Sequence, residues 1–453
     1  MWLLPAWSAL SRFGARTYYR LTRAGADVPA SGPVLLVANH PNSLLDPALV
    51  VAAAGRPVRF LAGSRTVAHP QIGWMIRGVG SIPVYRRIDD PSQVGKNEEM
   101  FRAATAALAE GSAIGIFPEG ISLDDPHLQP LKTGAARLAL SAVNECGAVP
   151  IIPVGLVYRD RDRFRSEALV IVGRAIPWED LAYAGAASGE PVRELTRRIE
   201  SALRDVTVNL ERWEDAPVIE GAEAIWAAEL RAPDDPAARV ERLRLATETL
   251  AYIRREESDR WRTLERDVSR HVRTLALLGL EPADLHDTAT DAAALRWTLR
   301  RLPTLLLGAL VLTTGVALFA LPYRLSAMIG AHTAPREAAR STHTVLYGTV
   351  VFVLWIVLLS VVAGSFGGWL AAVIALAVLP VWALASAGAR DRWRAAWRDV
   401  RRFLSLRRRA AVLRDLAAEQ RALGGELARI VDTLAPRVTM TPRPEPTSLA
   451  REG

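Results

Sequence analysis

The sequence predicts an α/β domain with a mainly parallel sheet flanked by helices, followed by a long helical region and C-terminal transmembrane helices. Three observations lead to this fold class. Short apolar runs alternate with helical patterns between residues 33 and 178, which is typical of a parallel sheet covered by helices. A long stretch of helical periodicity follows at 237–278. Uncharged apolar segments of about 20 residues come after it, the length that crosses a bilayer.

The composition indicates more than one structural unit and a membrane-associated protein. The chain has 453 residues, of which 50% are hydrophobic and 23% charged, with a formal net charge of +8. A basic balance suits either nucleic acid or an anionic membrane surface. The apolar segments favour the bilayer, and we expect no nucleic-acid partner. The single cysteine, Cys146, excludes an intrachain disulfide and indicates a reducing compartment.

Residues 1–32 contain aromatic and aliphatic side chains with Arg12, Arg16 and Arg20 between them. The apolar run is too short for a signal-peptide core and has no basic leader. The pattern predicts an amphipathic helix at the membrane surface. A helix that packs on its own domain is the alternative.

Residues 33–215 are expected to form the α/β domain. The predicted strands are short, apolar and bounded by turn-forming residues: Val34–Ala38, Val58–Ala62, Ser81–Val84, Ala113–Phe117, Ile151–Tyr158 and Ala168–Val172. The predicted helices lie between them: Leu45–Ala54, Pro70–Gly78, Gln93–Ala109 and Thr133–Glu145. A further helix is expected at Val192–Leu210.

The segment 39–46 carries the main candidate for chemistry. His40 leaves a predicted strand, and Asp46 begins the helix that follows, with five residues between them. Ligands of α/β sheets bind at the carboxyl ends of the strands. An imidazole held by a carboxylate can act as a general base, because the carboxylate fixes its tautomer and stabilises the imidazolium. A surface hydrogen bond between the two side chains is the alternative.

Other candidate residues follow neighbouring strands. Arg86 stands at a strand exit, where its planar guanidinium could bind a phosphate. Glu119 and Gly120 combine a carboxylate with a residue that permits close backbone approach. Lys132 precedes a helix of small residues whose N-terminus could hold an anion. Pro150 opens a proline-containing apolar strand, which predicts an edge or a bend.

Four blocks of the sequence, at residues 39–46, 80–86, 117–122 and 149–156, resemble in this order the glycerolipid acyltransferase family, which includes glycerol-3-phosphate and 1-acylglycerol-3-phosphate acyltransferases. The resemblance covers about a third of the chain, residues 33–173. It implies that His40 and Asp46 are the catalytic pair. It also implies acceptor-binding and donor-associated roles for further residues: Gly80, Ile82 and Arg86 at the acceptor phosphate, Glu119 and Gly120 at the acceptor site, and Pro150 in the block associated with the acyl donor.

The five-residue spacer is one residue longer than the commoner family pattern. A bulge or a tighter turn must absorb the extra residue if His40 and Asp46 are to meet. The resemblance then points to the branch that acylates glycerol 3-phosphate or dihydroxyacetone phosphate.

The expected reaction is direct acyl transfer from acyl-CoA or acyl-carrier protein to a hydroxyl of glycerol 3-phosphate or 1-acylglycerol 3-phosphate, in phospholipid biosynthesis. The carrier is a co-substrate, and no cofactor is expected. The hydroxyl needs a base, the phosphate needs cations that orient the acceptor, and the thioester carbon needs oxyanion donors. His40 supplies the base and Arg86 a cation, with Lys132 and Arg65 as helpers. No metal is expected at His40, because no third ligand lies nearby at metal-site spacing.

The rest of the chain divides by pattern. Residues 216–300 form an amphipathic helical region, and residues 389–435 form a basic amphipathic helix that rests on anionic lipid. Apolar stripes at 240–278 and 413–434 could pair with each other or pack on nearer neighbours. Residues 436–453 are polar, rich in proline and expected to be disordered.

Residues 301–388 contain the membrane segments, at about 302–321, 345–363 and 369–387. A glycine-rich turn at 364–368 is expected to join the last two into a hairpin. Arginines flank both ends of the region and predict cytoplasmic ends, which requires an even number of crossings. Either the first segment, which has a proline near each end, is re-entrant, or one end of the region does not follow the charge rule. We expect the first segment to be re-entrant.

The predicted protein is an integral membrane acyltransferase whose catalytic domain lies on the cytoplasmic face. Its expected partners are the bilayer, a glycerol-phosphate acceptor and an acyl thioester donor. A lysophospholipid acyltransferase or transacylase with another headgroup is a rival, and would need fewer cations at the acceptor. A non-catalytic lipid-binding protein is a second rival, although it would have no need of a base such as His40.

Overall fold

The computed structural model describes residues 3–440, apart from 71, 87–89, 124, 185–188, 234, 287–290, 335–338 and 409. Within that range it contains a seven-stranded sheet in the order β1-β7-β6-β2-β5-β3-β4. The strands are β1 (Tyr19–Gly25), β2 (Val34–Ala38), β3 (Val58–Gly63), β4 (Ile82–Val84), β5 (Ala113–Ile116), β6 (Ile151–Tyr158) and β7 (Ser166–Val172).

The sheet is mainly parallel, as the sequence predicts. Strand β2 lies between β5 and β6 and is parallel to both, and all five of its side chains are buried. A fully apolar strand of this kind is typical of a sheet covered on both faces. Strand β7 runs antiparallel to β6, and β1 runs parallel to β7. The amino end of β1 therefore lies at the same edge of the sheet as the carboxyl ends of β2 to β6.

Helices cover both faces of the sheet. They are α1 (Leu4–Tyr18), α2 (Leu45–Ala54), α3 (Ser64–Val67), α4 (Gly73–Gly78), α5 (Asn97–Ala109), α6 (Gly134–Cys146) and α7 (Gly189–Asp205). Helix α2 ends at Gly55, which takes the left-handed conformation (φ 68°) common after a helix. Strand β1 starts directly after α1, so the sheet begins before the predicted domain boundary at residue 32.

The helical region consists of α8 (Ala216–Glu229), α9 (Pro236–Glu256), α10 (Ser258–Leu278) and α13 (Ala410–Met440). The helix predicted over 237–278 is divided at Glu257, which lies outside the helical conformation. The two apolar stripes share one core, in which Leu250 and Leu264 pack with Leu427 and Ile430. Helix α13 continues to Met440, past the predicted start of the tail at 436, and the rest of the predicted tail lies outside the described residues.

Two further helices are long and apolar enough to cross a membrane: α11 (Asp291–Thr333), from Thr304 onwards, and α12 (Arg340–Arg408). Most of their apolar side chains are exposed on the protein surface, as expected of helices that face lipid.

Helix α12 is broken at Gly368, whose φ is 74°. A Cβ atom on Gly364 would lie 3.0 Å from Cβ of Ala372, although eight residues of straight helix span about 12 Å. The chain therefore reverses here, at the predicted turn. Both arms of the hairpin contact α11, since Trp355 donates to the carbonyl of Leu318 (2.8 Å) and Trp382 to Thr314 Oγ1 (3.1 Å).

Candidate active site

The candidate site lies at the carboxyl edge of β2, where His40 and Asp46 face each other. His40 Nδ1 lies 2.8 Å from Asp46 Oδ2. The Asp46 side chain is completely buried in the first turn of α2, and the imidazole is 19% exposed. This contact favours the tautomer that carries its proton on Nδ1, so that Nε2 can accept a proton from a substrate.

A tight turn brings the two side chains together across the five-residue spacer. Ser43 takes a left-handed conformation (φ 48°), and the Leu45 N–H donates to the carbonyl of Asn42 (3.2 Å). A non-glycine residue in this region costs about 1–2 kcal/mol, so the surrounding structure must hold the turn in place.

Asp46 receives two further hydrogen bonds besides that from His40. The Asn42 N–H donates to Oδ2 (2.7 Å), and the Tyr158 hydroxyl at the end of β6 donates to Oδ1 (2.6 Å). Burial, and then the charge of Asp46, raises the pKa of Tyr158 well above its ordinary value, so the phenol remains a donor. A buried carboxylate needs such partners, because an unpaired buried charge is strongly unfavourable.

A second layer of buried hydrogen bonds fixes Asn42. Its side-chain amide donates to the Tyr19 oxygen (2.7 Å), and its carbonyl oxygen accepts from the Ser341 hydroxyl. The Tyr19 hydroxyl in turn donates to the carbonyl of Arg161, and burial raises the pKa of Tyr19. Ser341 belongs to the first turn of α12. The long apolar helix α12 thus contacts the loop that carries His40 directly.

Two more bonds hold the middle of the loop. The Ser43 N–H donates to Ser122 Oγ (2.9 Å), and the Leu44 N–H donates to Thr342 Oγ1 (3.2 Å). Ser122 lies on the loop after β5, whereas Thr342 lies on α12. The left-handed turn at Ser43 is therefore stabilised by hydrogen bonds to both the α/β domain and α12.

Glu119 fixes the backbone of His40. Its carboxylate accepts the His40 N–H (2.7 Å) on one oxygen and the Gln129 N–H (3.1 Å) on the other. Burial raises the pKa of Glu119, and the two backbone bonds oppose this shift. The neighbouring Phe117 ring stacks on the imidazole with ring centres 4.0 Å apart. These contacts set the position of His40, and a direct role of Glu119 in acceptor binding stays a prediction.

The cations predicted to bind phosphate occupy the same edge of the sheet. Arg86 donates to the carbonyl of Gly120 (2.9 Å), and Gly63 leaves room for its guanidinium. Gly120 has a φ of 72°, and the stem of Lys132 passes beside it. Arg65 is exposed on α3, directly after β3. Their phosphate-binding roles stay predictions.

The remaining predicted residues lie away from His40. Ile82 is buried in the core of the sheet, and the carbonyl of Gly80 accepts from Arg59 at the amino end of β3. The carbonyl of Pro150 accepts the Leu35 N–H at the amino end of β2 (2.9 Å). Five residues of extended chain separate Leu35 from His40, or about 17 Å. A contact of Pro150 with the acyl donor at His40 would have to span this distance, so its role stays a prediction.

Several residues that hold the site were not predicted from the sequence. Tyr158 ends a predicted strand at the same edge of the sheet as His40, and Asn42 lies between His40 and Asp46, so their positions in the sequence could have indicated them. Tyr19 and Ser341 lie far in sequence from the segment 39–46, so nothing in the sequence indicated that they contact it. Among the described residues, no group of three or more His, Cys, Asp or Glu side chains could hold a metal ion.

Comparison with known proteins places this site within a recognised domain. The family model described as Acyltransferase matches residues 21–157. The chain is 35% identical to glycerol-3-phosphate O-acyltransferase 2 of Saccharomyces cerevisiae over 135 residues. This aligned stretch covers 29% of this chain and 18% of that protein. Glycerol-3-phosphate O-acyltransferase 1 of the same yeast is 37% identical over 119 residues, 25% of this chain and 16% of that protein.

Two other similarities extend further along the chain. An uncharacterized acyltransferase of Schizosaccharomyces pombe is 25% identical over 295 residues, covering 45% of this chain and 44% of that protein. The crystal structure of the 1-acyl-sn-glycerophosphate acyltransferase PlsC from Thermotoga maritima is similar with a TM-score of 0.33 and 20% identity, covering 44% of this chain and 77% of that one. The chain spans less than half the length of the curated relatives it matches. Residues 21–157 thus match an acyltransferase domain, and the yeast relatives support the resemblance to glycerolipid acyltransferases that the sequence predicts.

Proposed function

We propose that this protein transfers a fatty acyl group from an acyl thioester, acyl-CoA or acyl-carrier protein, to a hydroxyl of glycerol 3-phosphate or 1-acylglycerol 3-phosphate. The 2.8 Å contact between His40 Nδ1 and buried Asp46 is the observation that carries the proposal. It leaves Nε2 as the basic atom of a partly exposed imidazole, which is what an alcohol nucleophile requires.

In the proposed reaction, His40 Nε2 takes the proton of the acceptor hydroxyl as its oxygen bonds to the thioester carbon. Asp46 stabilises the imidazolium that forms. The carbon–sulfur bond then breaks, and the imidazolium returns the proton to the departing thiolate. The products are an ester and a free thiol, so no covalent enzyme intermediate and no cofactor is needed.

The cations favour an acceptor that carries a phosphate. Arg86 and Lys132 both lie beside Gly120, next to the residue whose carboxylate binds the His40 backbone. A phosphate held by these side chains would orient the acceptor hydroxyl toward the base. A lysophospholipid with a neutral headgroup would make less use of them.

The membrane region favours a lipid product. Thr342 bonds the catalytic loop, and the apolar part of α12 begins at Val345, which packs on the core of the α/β domain. The site therefore lies where a growing lipid could pass directly into a bilayer. The arginine-rich part of α12 after residue 388 is joined to the α/β domain by an ion pair between Arg165 and Asp391 (2.7 Å). Because such segments stay cytoplasmic, we place the catalytic domain on the cytoplasmic face.

The test is an acyl-transfer assay on the purified full-length protein, with labelled acyl thioesters and a panel of acceptors. We expect turnover with glycerol 3-phosphate or its monoacyl form, and little with acceptors that lack a phosphate monoester. The Arg86→Ala variant should raise KM for phosphate acceptors about tenfold or more, since hydrogen bonds to charged groups contribute about 1.5–3 kcal/mol.

The matched control is Arg102→Gln, which removes an exposed arginine of α5 away from the site. It should leave KM unchanged. An unaltered KM in the Arg86→Ala variant would remove its assigned role, and absence of acyl transfer to every acceptor would contradict the proposed function.

A further inference from the structure

A cavity of about 650 Å³ lies outside the catalytic site, between α1, the carboxyl end of α2 and the second arm of α12. Helix α1 contributes Arg12, Phe13 and Arg16, and α12 contributes Leu384 and Gly388. Arg165, on the loop before β7, completes the wall. The cavity thus joins three parts of the chain that are distant in sequence.

The described lining of this cavity carries three arginines and no carboxylate. Arg165 is paired with Asp391, which lies just beyond the lining. Arg12 and Arg16 are four residues apart on one face of α1, a spacing at which like charges repel. Arg12 donates to the carbonyl of Gly55 (3.3 Å), at the negative end of α2, and Arg16 is exposed. An anion between these two guanidinium groups would relieve their repulsion.

The cavity also has an apolar side that points to the bilayer. Phe13 is 55% exposed, and Leu384 is 43% exposed. Leu384 and Ala387 lie near the end of the uncharged segment of α12, and Arg390 is the first charged residue after it. The cavity therefore lies at the depth where the apolar segment meets charged residues, which is the depth of lipid headgroups.

This cavity is separate from the catalytic pair. Asp46 stands in the first turn of α2, whereas Ala52 and Gly55, which line the cavity, lie at the other end. Six to nine residues of helix place them about 9–14 Å further along.

We propose that this cavity binds the phosphate of an anionic membrane phospholipid. Arg12 and Arg16 hold the phosphate, because guanidinium groups match phosphate oxygens in a planar fork. The acyl chains run along Phe13 and Leu384 into the bilayer. The bound lipid fastens α1 against α12 and so joins the start of the α/β domain to the membrane helices. The proposal does not depend on acyl transfer.

Native mass spectrometry of the full-length protein tests this proposal. The protein is released from detergent containing equal amounts of phosphatidylglycerol and phosphatidylcholine, with or without inorganic phosphate. We expect retention of one phosphatidylglycerol in preference to phosphatidylcholine. The double variant R12Q/R16Q should lower this retention about tenfold, corresponding to about 1.4 kcal/mol.

A second variant tests the shape of the cavity without removing charge. Gly388 faces open space, with its nearest neighbour, Arg392, at ordinary contact distance. Gly388→Leu should fill the cavity and lower phosphatidylglycerol retention to a similar extent. Arg102→Gln, which removes an exposed arginine of α5, and Arg86→Ala at the edge that carries His40 should retain the lipid as the wild type does.

Unchanged phosphatidylglycerol retention in R12Q/R16Q and in Gly388→Leu would overturn the proposal. Equal retention of phosphatidylcholine would overturn the preference for an anionic headgroup. Displacement of the lipid by inorganic phosphate would assign the arginines to the free ion instead. If R12Q/R16Q does not fold, as judged by its thermal unfolding, Gly388→Leu decides the outcome.

Discussion

Asp46 is the residue on which the geometry of the site depends most. Its carboxylate is completely buried and is surrounded by three donors: the imidazole of His40, the N–H of Asn42 and the hydroxyl of Tyr158. His40 and Asn42 belong to the loop after β2, whereas Tyr158 ends the neighbouring strand β6. Because each oxygen has a partner, the carboxylate has one orientation, and the imidazole is oriented with it.

The Tyr158→Phe variant should lower kcat about tenfold while leaving KM nearly unchanged. The change removes the one bond to Asp46 Oδ1 and keeps the ring, so the carboxylate gains freedom without a cavity being formed. Steady-state kinetics with thermal unfolding of the same sample checks this. An unchanged kcat would show that the hydroxyl does not position the pair.

Glu119 should give the folded protein a distinctive pH dependence. Burial raises its pKa from the ordinary value of 4.5, so the folded state keeps this proton to a higher pH than the unfolded state. Stability contributed by the group is therefore complete below the ordinary pKa and falls as pH rises through the raised one.

The difference in free energy of unfolding between the wild type and Glu119→Gln (wild type minus variant) should therefore decrease as the pH rises from the ordinary pKa of Glu119 to its raised pKa. Other titrating groups cancel in the difference. Denaturant titrations at several pH values measure it, and a difference that rises with pH would contradict the burial argument.

At the level of elements, the sequence predicts the central part of the sheet well. Strands β2 and β6 and helix α2 have the predicted bounds, because each is an apolar run closed by turn-forming residues. Strand β1 was missed, since it contains two arginines and lies at an edge of the sheet, where only its first residue, Tyr19, is buried. The role of α12 could not be predicted, because Ser341 lies 299 residues from its partner Asn42.

Replacing Ser341 by Ala and Thr342 by Val together should lower kcat about tenfold or more without unfolding the protein. Each change removes one bond to the turn that carries His40, and each such bond contributes about 1 kcal/mol. Conservative Thr342→Ser should restore part of the loss.

The matched control is Ser365→Ala, because the Ser365 hydroxyl donates to a carbonyl of its own helix, that of Val362 (2.7 Å). It should not change kcat. Equal kinetics for the double variant and this control would show that α12 does not position the catalytic loop.

Gln420 interrupts the apolar stripe of α13 for a structural reason. It is completely buried, and its amide donates to Glu229 (2.8 Å) and to the carbonyl of Pro282 (3.1 Å). The side chain therefore docks α13 on α8 and on the segment after α10. A break in an apolar pattern can thus mark a specific contact as well as an exposed position.

Gln420→Ala should lower the free energy of unfolding by about 1–3 kcal/mol, because it leaves buried polar groups without partners. The Michaelis constants should stay as in the wild type, since the helical core lies away from His40. Denaturant unfolding and steady-state kinetics on the same preparation separate the two effects. A stability equal to that of the wild type would contradict the docking role.

At the scale of the whole molecule, the α/β domain and the apolar helix α12 are joined by contacts close to His40. The membrane region supplies Ser341 and Thr342 to the catalytic loop, and Asp391 to an ion pair with Arg165. The sheet positions His40 at the end of β2, and α12 holds the loop that carries it. Domain limits drawn from sequence periodicity separate parts that share a site.

The transfer of labelled acyl groups by wild type and His40→Ala, in the full-length protein with a phosphate-bearing acceptor, tests the central claim most directly. His332→Ala serves as the control, because this histidine is exposed on α11 and bonds a carbonyl of its own helix. We expect His40→Ala to lose at least about 10²-fold in turnover, the usual contribution of a general base, with unchanged thermal unfolding and full activity in His332→Ala. Turnover by His40→Ala at the wild-type rate would contradict the account.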